Sequence, residues 1–159
     1  MTVLDRPVDT ALSKDRLRLW LKLLKVTRGL EAELRERMRV EFGSTLPRFD
    51  VMAALARHPD GLRMSALSDV LRVSNGNVTG IVDRLVVEGQ VARAQVPGDR
   101  RAQLVRLTPE GRAEFAQMAR THEAWVNALL GDVDAAQASL LLDGLGRLEA
   151  RPEPGGERE

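Results

Sequence analysis

Between Gly89 and Thr108 the hydrophobic period of this chain changes twice, and that change limits the fold more than any other feature. Upstream, apolar residues recur every three or four positions, the spacing of a helix. In "VARAQV" (Val91 to Val96) and "AQLVRL" (Ala102 to Leu107) the pattern becomes extended, with Val105 and Leu107 on one face of the second segment. "PGDRR" lies between them, with Pro97 and Gly98 as the turn signal. "TPEGRAEF" then restores the helical pattern: Thr108 can cap the new helix, and Pro109 sits where its missing N–H costs nothing. The chain is therefore mainly helical, with one small β-hairpin set inside it.

Helices flank the hairpin on both sides. From about Lys14 to Phe42, Leu17, Trp20, Leu21, Leu24, Leu30, Leu34 and Met38 mark a helical stripe, and Leu19, Leu23 and Val26 widen it beyond one face. A helix apolar on more than one side must be covered on more than one side, by a partner chain or by deep burial within its own. A second helix starts with Pro47 at its first position and closes before Pro59 and Gly61. Met64 to about Val70 form a short third helix, "LRVS" makes a tight turn, and Ser74 opens a helix that runs to about Val87 and stops at Gly89. After the hairpin, one helix extends to about Leu130. The last begins at Asp134, with Gln137 as its capping-box partner and Leu141, Leu142, Leu145 and Leu148 in its stripe.

This order is that of a winged helix–turn–helix inserted between helical segments from both ends of the chain. The expected division is an N-terminal arm over 1–13, a first helix and connection over 14–46, and a winged helix–turn–helix lobe over 47–107. C-terminal helices occupy 108–149 and a frayed, Pro-, Gly- and charge-rich tail 150–159.

Composition narrows the chemistry. The 159 residues are 43% hydrophobic but only 3% aromatic, which favours a core of Leu, Val and Ala in packed helices. Cysteine is absent, excluding disulfides, thiolate metal sites and cysteine redox sensing. No stretch is long enough to span a bilayer and the start lacks the apolar core of a signal peptide, so the expected location is the cytoplasm, away from membranes. His58 and His122 stand far apart, without H-E-x-x-H, G-x-S-x-G or a Gly-rich phosphate loop, so neither an enzyme nor a metal or other cofactor is expected. Net charge is only +1, yet residues 61–107 hold seven Arg and no Lys against four acids. The planar arginine fork suits phosphates and base edges.

The helix opened by Ser74, "VSNGNVTGIVDRL", has an unusual face. Val78, Ile81, Val82 and Leu85 repeat at helical spacing, while the opposite side carries Asn75, Gly76, Asn77, Thr79 and Gly80, all small and poor at sustaining a helix. A recognition helix in the DNA major groove brings its backbone close to the bases, which bulky side chains prevent. Small residues at 76 and 80 let it sit deep, Asn75, Asn77 and Thr79 reach base edges or phosphates, and Arg84 reaches a phosphate. Alternatively, the two glycines permit close packing against a neighbouring helix, with the asparagines as capping groups. At the hairpin tip, Arg100 and Arg101 protrude too far to stabilise a core. They are either a solubilising turn or a minor-groove contact, Arg100 being favoured for the groove and Asp99 for holding the other arginine by a local ion pair.

"DVLRVSNGNVTGIVDRLVVEGQVAR" followed by "PGDRRAQLVRLTPEG" resembles the MarR family of bacterial transcriptional regulators. The D-R-R wing tip leading through L-x-R-L-T-x-x-G into a helix carries most of the likeness, supported by V-T-x-x-V-D-R-L. The resemblance covers about Leu17 to Leu148 and implies a homodimer whose terminal helices intertwine, presenting two winged helices to a pseudo-palindromic double-stranded DNA operator. It further implies a repressor released by a small aromatic ligand, an aromatic acid or its coenzyme A thioester being the expected class. On this likeness Ser74, Asn75, Asn77, Thr79 and Arg84 in helix 74–87, with Arg100 and Arg101 in wing 97–101, are the DNA contacts. Arg16, Trp20, Phe49, Met52, Met118 and His122 are the candidate effector contacts. Many relatives carry larger or charged residues where Gly80 stands, which puts the base preference in doubt. The rival reading is a winged-helix protein-interaction module without specific DNA binding, for which salt-insensitive behaviour is the discriminating sign.

Overall fold

The computed structural model describes residues 10–71 and 75–150. Its element order is α1 (Thr10–Phe42), α2 (Leu46–Ala56), β1 (Leu62–Arg63), α3 (Met64–Leu71), α4 (Asn75–Val87), β2 (Val91–Val96), β3 (Asp99–Leu107), α5 (Pro109–Leu129) and α6 (Ala135–Glu149). The expected mainly helical fold with a hairpin between helices is what forms. Several boundaries differ. Helix α1 takes in Thr10 to Ser13, beyond the boundary at Lys14 that periodicity alone predicts, because nothing in "TALS" opposes a helix that the following periodic run already propagates. Helix α2 is capped by Thr45, whose side chain accepts from the Arg48 N–H, so the helix begins at Leu46 and Pro47 lies in its first turn.

The sheet has three strands, ordered β1-β3-β2 and antiparallel throughout. Strand β1 was not expected. It is two residues long and exists only through pairing, Leu62 with Val105 and Arg63 with Leu104. Its entry depends on Gly61, whose φ of +95° favours glycine; a Cβ there would lie 2.9 Å from the Val105 carbonyl oxygen. Strand β3 starts at Asp99 rather than Ala102, so the wing arginines belong to the strand, with an irregularity in register between Gln95 and Val96.

The chain forms two compact units, one through Ala124 and one from Trp125. In the first, Val78, Val82 and Leu85 of α4 are fully buried, together with Met38, Val51, Met52, Leu55, Leu67, Val105 and Met118. Period-3.6 burial on α4 and period-2 burial on β3 thus feed one core. Helix α1 leaves Leu17, Leu19, Trp20 and Leu21 more than half exposed. In the second unit, Asp134 and Gln137 form the expected capping box. Leu140, Leu141, Leu142, Leu145 and Leu148 are exposed along α6, so among the described residues its stripe has no cover.

Candidate nucleic-acid interface

Helix α4 buries Val78, Val82 and Leu85, and the pitch of the helix then presents Gly76, Asn77, Thr79, Gly80 and Arg84 to solvent. A Cβ built at Gly76 or Gly80 would meet nothing within 4 Å. The packing explanation for these glycines therefore fails within the described residues: no neighbouring helix approaches them. Their smallness serves no contact among the described residues. Ser74 and the Asn75 side chain lie outside the described residues.

The C-terminal end of α4 is tied into the rest of the chain. At its C-terminal end the Gln90 amide donates to the Leu85 carbonyl (2.9 Å), and the Gln90 carbonyl accepts from the Thr108 N–H (3.0 Å). The Thr108 hydroxyl donates to the Gly89 carbonyl (2.6 Å) and accepts from the Gly111 N–H (3.0 Å), capping α5 while tying it to the end of α4. Gly111 is buried so tightly on Gln90 that a Cβ would overlap the Gln90 carbonyl. Arg48 of α2 pairs with Glu88 and bonds the Gln90 side chain (3.3 Å), and Gln90 in turn donates to Glu114. The T-x-x-G of the sequence is thus the joint between α4 and α5. The V-D-R-L motif has a similar use: Asp83 pairs with Arg93 of β2, binding helix to wing.

In the wing, Asp99 accepts from the Arg101 N–H (3.0 Å) and its other oxygen lies 4.0 Å from Arg63 of β1. The expected ion pair with a wing arginine is replaced by a backbone bond to Arg101 and an approach to Arg63, which the pairing of β1 with β3 brings to the wing. The side chains of Arg100 and Arg101 are exposed. Asn77, Thr79 and Arg84 on one element and Arg100 and Arg101 on another are therefore presented to solvent, on frames that the two motif joints fix.

The residues expected to hold an effector are placed differently from one another. Phe49, Met52 and Met118 are core, 7%, 1% and 1% exposed. His122 stacks on Phe49, ring centroids 4.6 Å apart at 27°, and Phe115 lies 5.5 Å from the same ring. Arg16 and Trp20 are exposed on α1. A cavity of about 350 Å³ opens elsewhere, lined by Pro47, Asp50 and Val51 of α2, Leu71 of α3, and Asn77, Val78 and Ile81 of α4. Asp50, an acid amid the apolar residues of "LPRFDVMAAL", was the sequence signal for this site and was missed. Burial raises the Asp50 pKa, with Glu31 adding to that and His122 opposing it. Burial lowers the pKa of His122, partly offset by Asp50.

A profile of the MarR family matches residues 42–102. A MarR family transcriptional regulator from Silicibacter pomeroyi, solved by crystallography, is 34% identical, covers 90% of this chain and 99% of its own, and superposes with a TM-score of 0.72. This chain belongs to the MarR family. The MarR-family relatives include the transcriptional activatory protein BadR of Rhodopseudomonas palustris, 33% identical over 109 residues, 67% of this chain and 57% of BadR. This chain spans about three fifths of the length of other curated relatives too, 59% and 62% for two of them. A mutant MarR from E. coli, solved in complex with operator DNA, is 25% identical with a TM-score of 0.74, covering 84% of this chain and 95% of its own. Among the described residues no helix is long and apolar enough to cross a membrane.

Proposed function

We propose that this MarR-family protein is a ligand-responsive, homodimeric transcriptional regulator that binds double-stranded operator DNA through the outer face of α4 and the tip of the β2–β3 wing. The observation that carries this reading is the open space over Gly76 and Gly80 beside exposed Asn77, Thr79 and Arg84. A helix gains nothing in stability from two interior glycines, and no described residue uses the room they leave. A double helix approaching closely does. The related MarR solved with operator DNA supports the partner class.

The uncovered apolar faces of α1 and α6 support a homodimer. Exposed leucines in such number on a single chain call for cover, and a second copy supplies it symmetrically. Two winged helices then address two half-sites about one helical turn apart. Repression is the reading we favour for the regulated gene, although the relative BadR is named an activatory protein. A small molecule in the α2–α3–α4 cavity is the proposed signal, since that cavity shares Asn77 with the DNA face.

The test is fluorescence anisotropy of a labelled duplex from the gene's own upstream region, set against a scrambled duplex at two salt concentrations. Tight binding to the native duplex that weakens steeply with salt is the expected result, because several arginines displace counterions from the phosphates. Weak binding, equal for both duplexes and insensitive to salt, would instead fit a protein-docking module.

A further inference from the structure

The cavity between α2, α3 and α4 has a charge pattern that selects its ligand. Among the described residues its wall is apolar except for Asp50 and Asn77, and no Lys, Arg or His faces it. The Asp50 carboxylate makes no hydrogen bond or ion pair with any described residue. The charged and titratable groups that act on it are Glu31 from α1 and His122 from α5. Glu31 is a second negative charge, and His122 is held toward its neutral form by its stacked, partly buried position against Phe49. Among the described residues the field at Asp50 is therefore negative, and an aromatic carboxylate entering here meets repulsion with no described cation to receive it.

Resting on the ligand-responsive reading above, we infer that the cavity binds a small organic cation with an apolar or aromatic body, a protonated amine or amidine. Its head pairs with Asp50 at the rim and its body lies on Val51, Leu71, Val78 and Ile81. A volume of about 350 Å³ is at the lower end of small-molecule sites and suits a one- or two-ring ligand. Asn77 is the link to regulation. It lines the cavity and also stands on the face proposed for DNA, so a ligand that engages it withdraws it from the operator. By reciprocity, bound operator lowers the ligand's affinity by the same factor.

The experiment compares three ligands of one shape on the full chain at pH 7.5 by calorimetry: 1-naphthylmethylamine, 1-naphthalenemethanol and 1-naphthoic acid. The amine is expected to bind about fivefold more tightly than the alcohol, with the acid weakest, the size expected of a partly solvated charge pair. Asp50→Asn should bring the three affinities together. Amine affinity should also fall as pH drops through the Asp50 pKa, because a protonated carboxyl no longer pairs, while the alcohol's stays level. Preference for the acid, or no change on Asp50→Asn, overturns the charge assignment and leaves the regulator reading standing. Binding of none of the three overturns this inference, while the anisotropy titration, which needs no ligand, decides separately whether the protein is a DNA-binding regulator.

Discussion

Helix α4 carries two kinds of glycine-rich neighbourhood, and they obey opposite rules. At its outer face Gly76 and Gly80 look onto empty space. At its C-terminal joint Gly111 of α5 presses on the Gln90 backbone so closely that no side chain fits. Both regions are small-residue motifs in the sequence, and both belong to the family pattern or stand beside it. The joint is overdetermined by Thr108, Gln90, Arg48 and Glu114, so its glycine is explained from within the chain. At the outer face no described residue packs on the glycines, which is why we propose that this face is kept for a partner. The presence or absence of an internal neighbour separates a residue kept for the fold from one kept for a partner.

Substitution at the joint should have the largest effect. Gly111→Ala forces its Cβ into the Gln90 carbonyl, and we expect a loss of about 3 kcal/mol, a fall of roughly 10 °C in thermal unfolding. A fall of under 2 °C would mean the joint yields, and the contrast with the outer face would collapse.

Gly80→Ala should do the reverse. With nothing near the new methyl group and a helical backbone, stability rises by roughly 0.5–1 kcal/mol through the lost freedom of the unfolded chain. Chemical denaturation measures this, and a destabilised Gly80→Ala protein would show that the fold does need that glycine.

Acid should act on the partly buried ring of His122. Its pKa lies below the ordinary 6.5, so the folded protein binds fewer protons there than the unfolded chain. Stability from this group is full above pH 6.5 and declines as pH falls from there through the folded pKa. Asp50, shifted upward, contributes in the opposite sense, its penalty easing as pH falls through its folded value. His122→Gln should flatten the decline in melting temperature below pH 6.5, and an unchanged pH profile would show that His122 does not cause it.

The smallest effect belongs to the helix-to-wing tie. Asp83→Asn breaks an exposed pair with Arg93, and a loss below about 1 kcal/mol is expected from urea unfolding. A loss of several kcal/mol would make the wing a structural element on a par with the joint.

Much of this architecture was legible in the sequence because periodicity records burial directly. Val78, Val82 and Leu85 repeat at helical spacing and are buried; Val105 and Leu107 alternate and are buried. The Asp134–Gln137 box is likewise a local signature that needs no tertiary contact. What escaped depends on residues far apart in the chain. Two residues of β1 have no period of their own and become a strand only beside Val105 and Leu104. Asp99 was expected to hold a neighbouring arginine, but sheet formation brings Arg63 instead, thirty-six positions away. The cavity is built from three helices, so six candidate contacts chosen by residue type did not include Asp50, Pro47 or Ile81, which line it.

The outer face of α4 and the wing are proposed to act on DNA without being needed by the fold. The most direct measurement is therefore duplex anisotropy with Asn77→Ala and Arg100→Ala, each paired with its melting temperature. Each variant should lose about 1–3 kcal/mol of affinity for the native duplex, and Arg100→Ala should also flatten the salt dependence. Neither should melt more than a degree or so from the parent, as both side chains are exposed. Unchanged affinity in both variants, from protein that binds the duplex, would place the interface elsewhere and contradict the account.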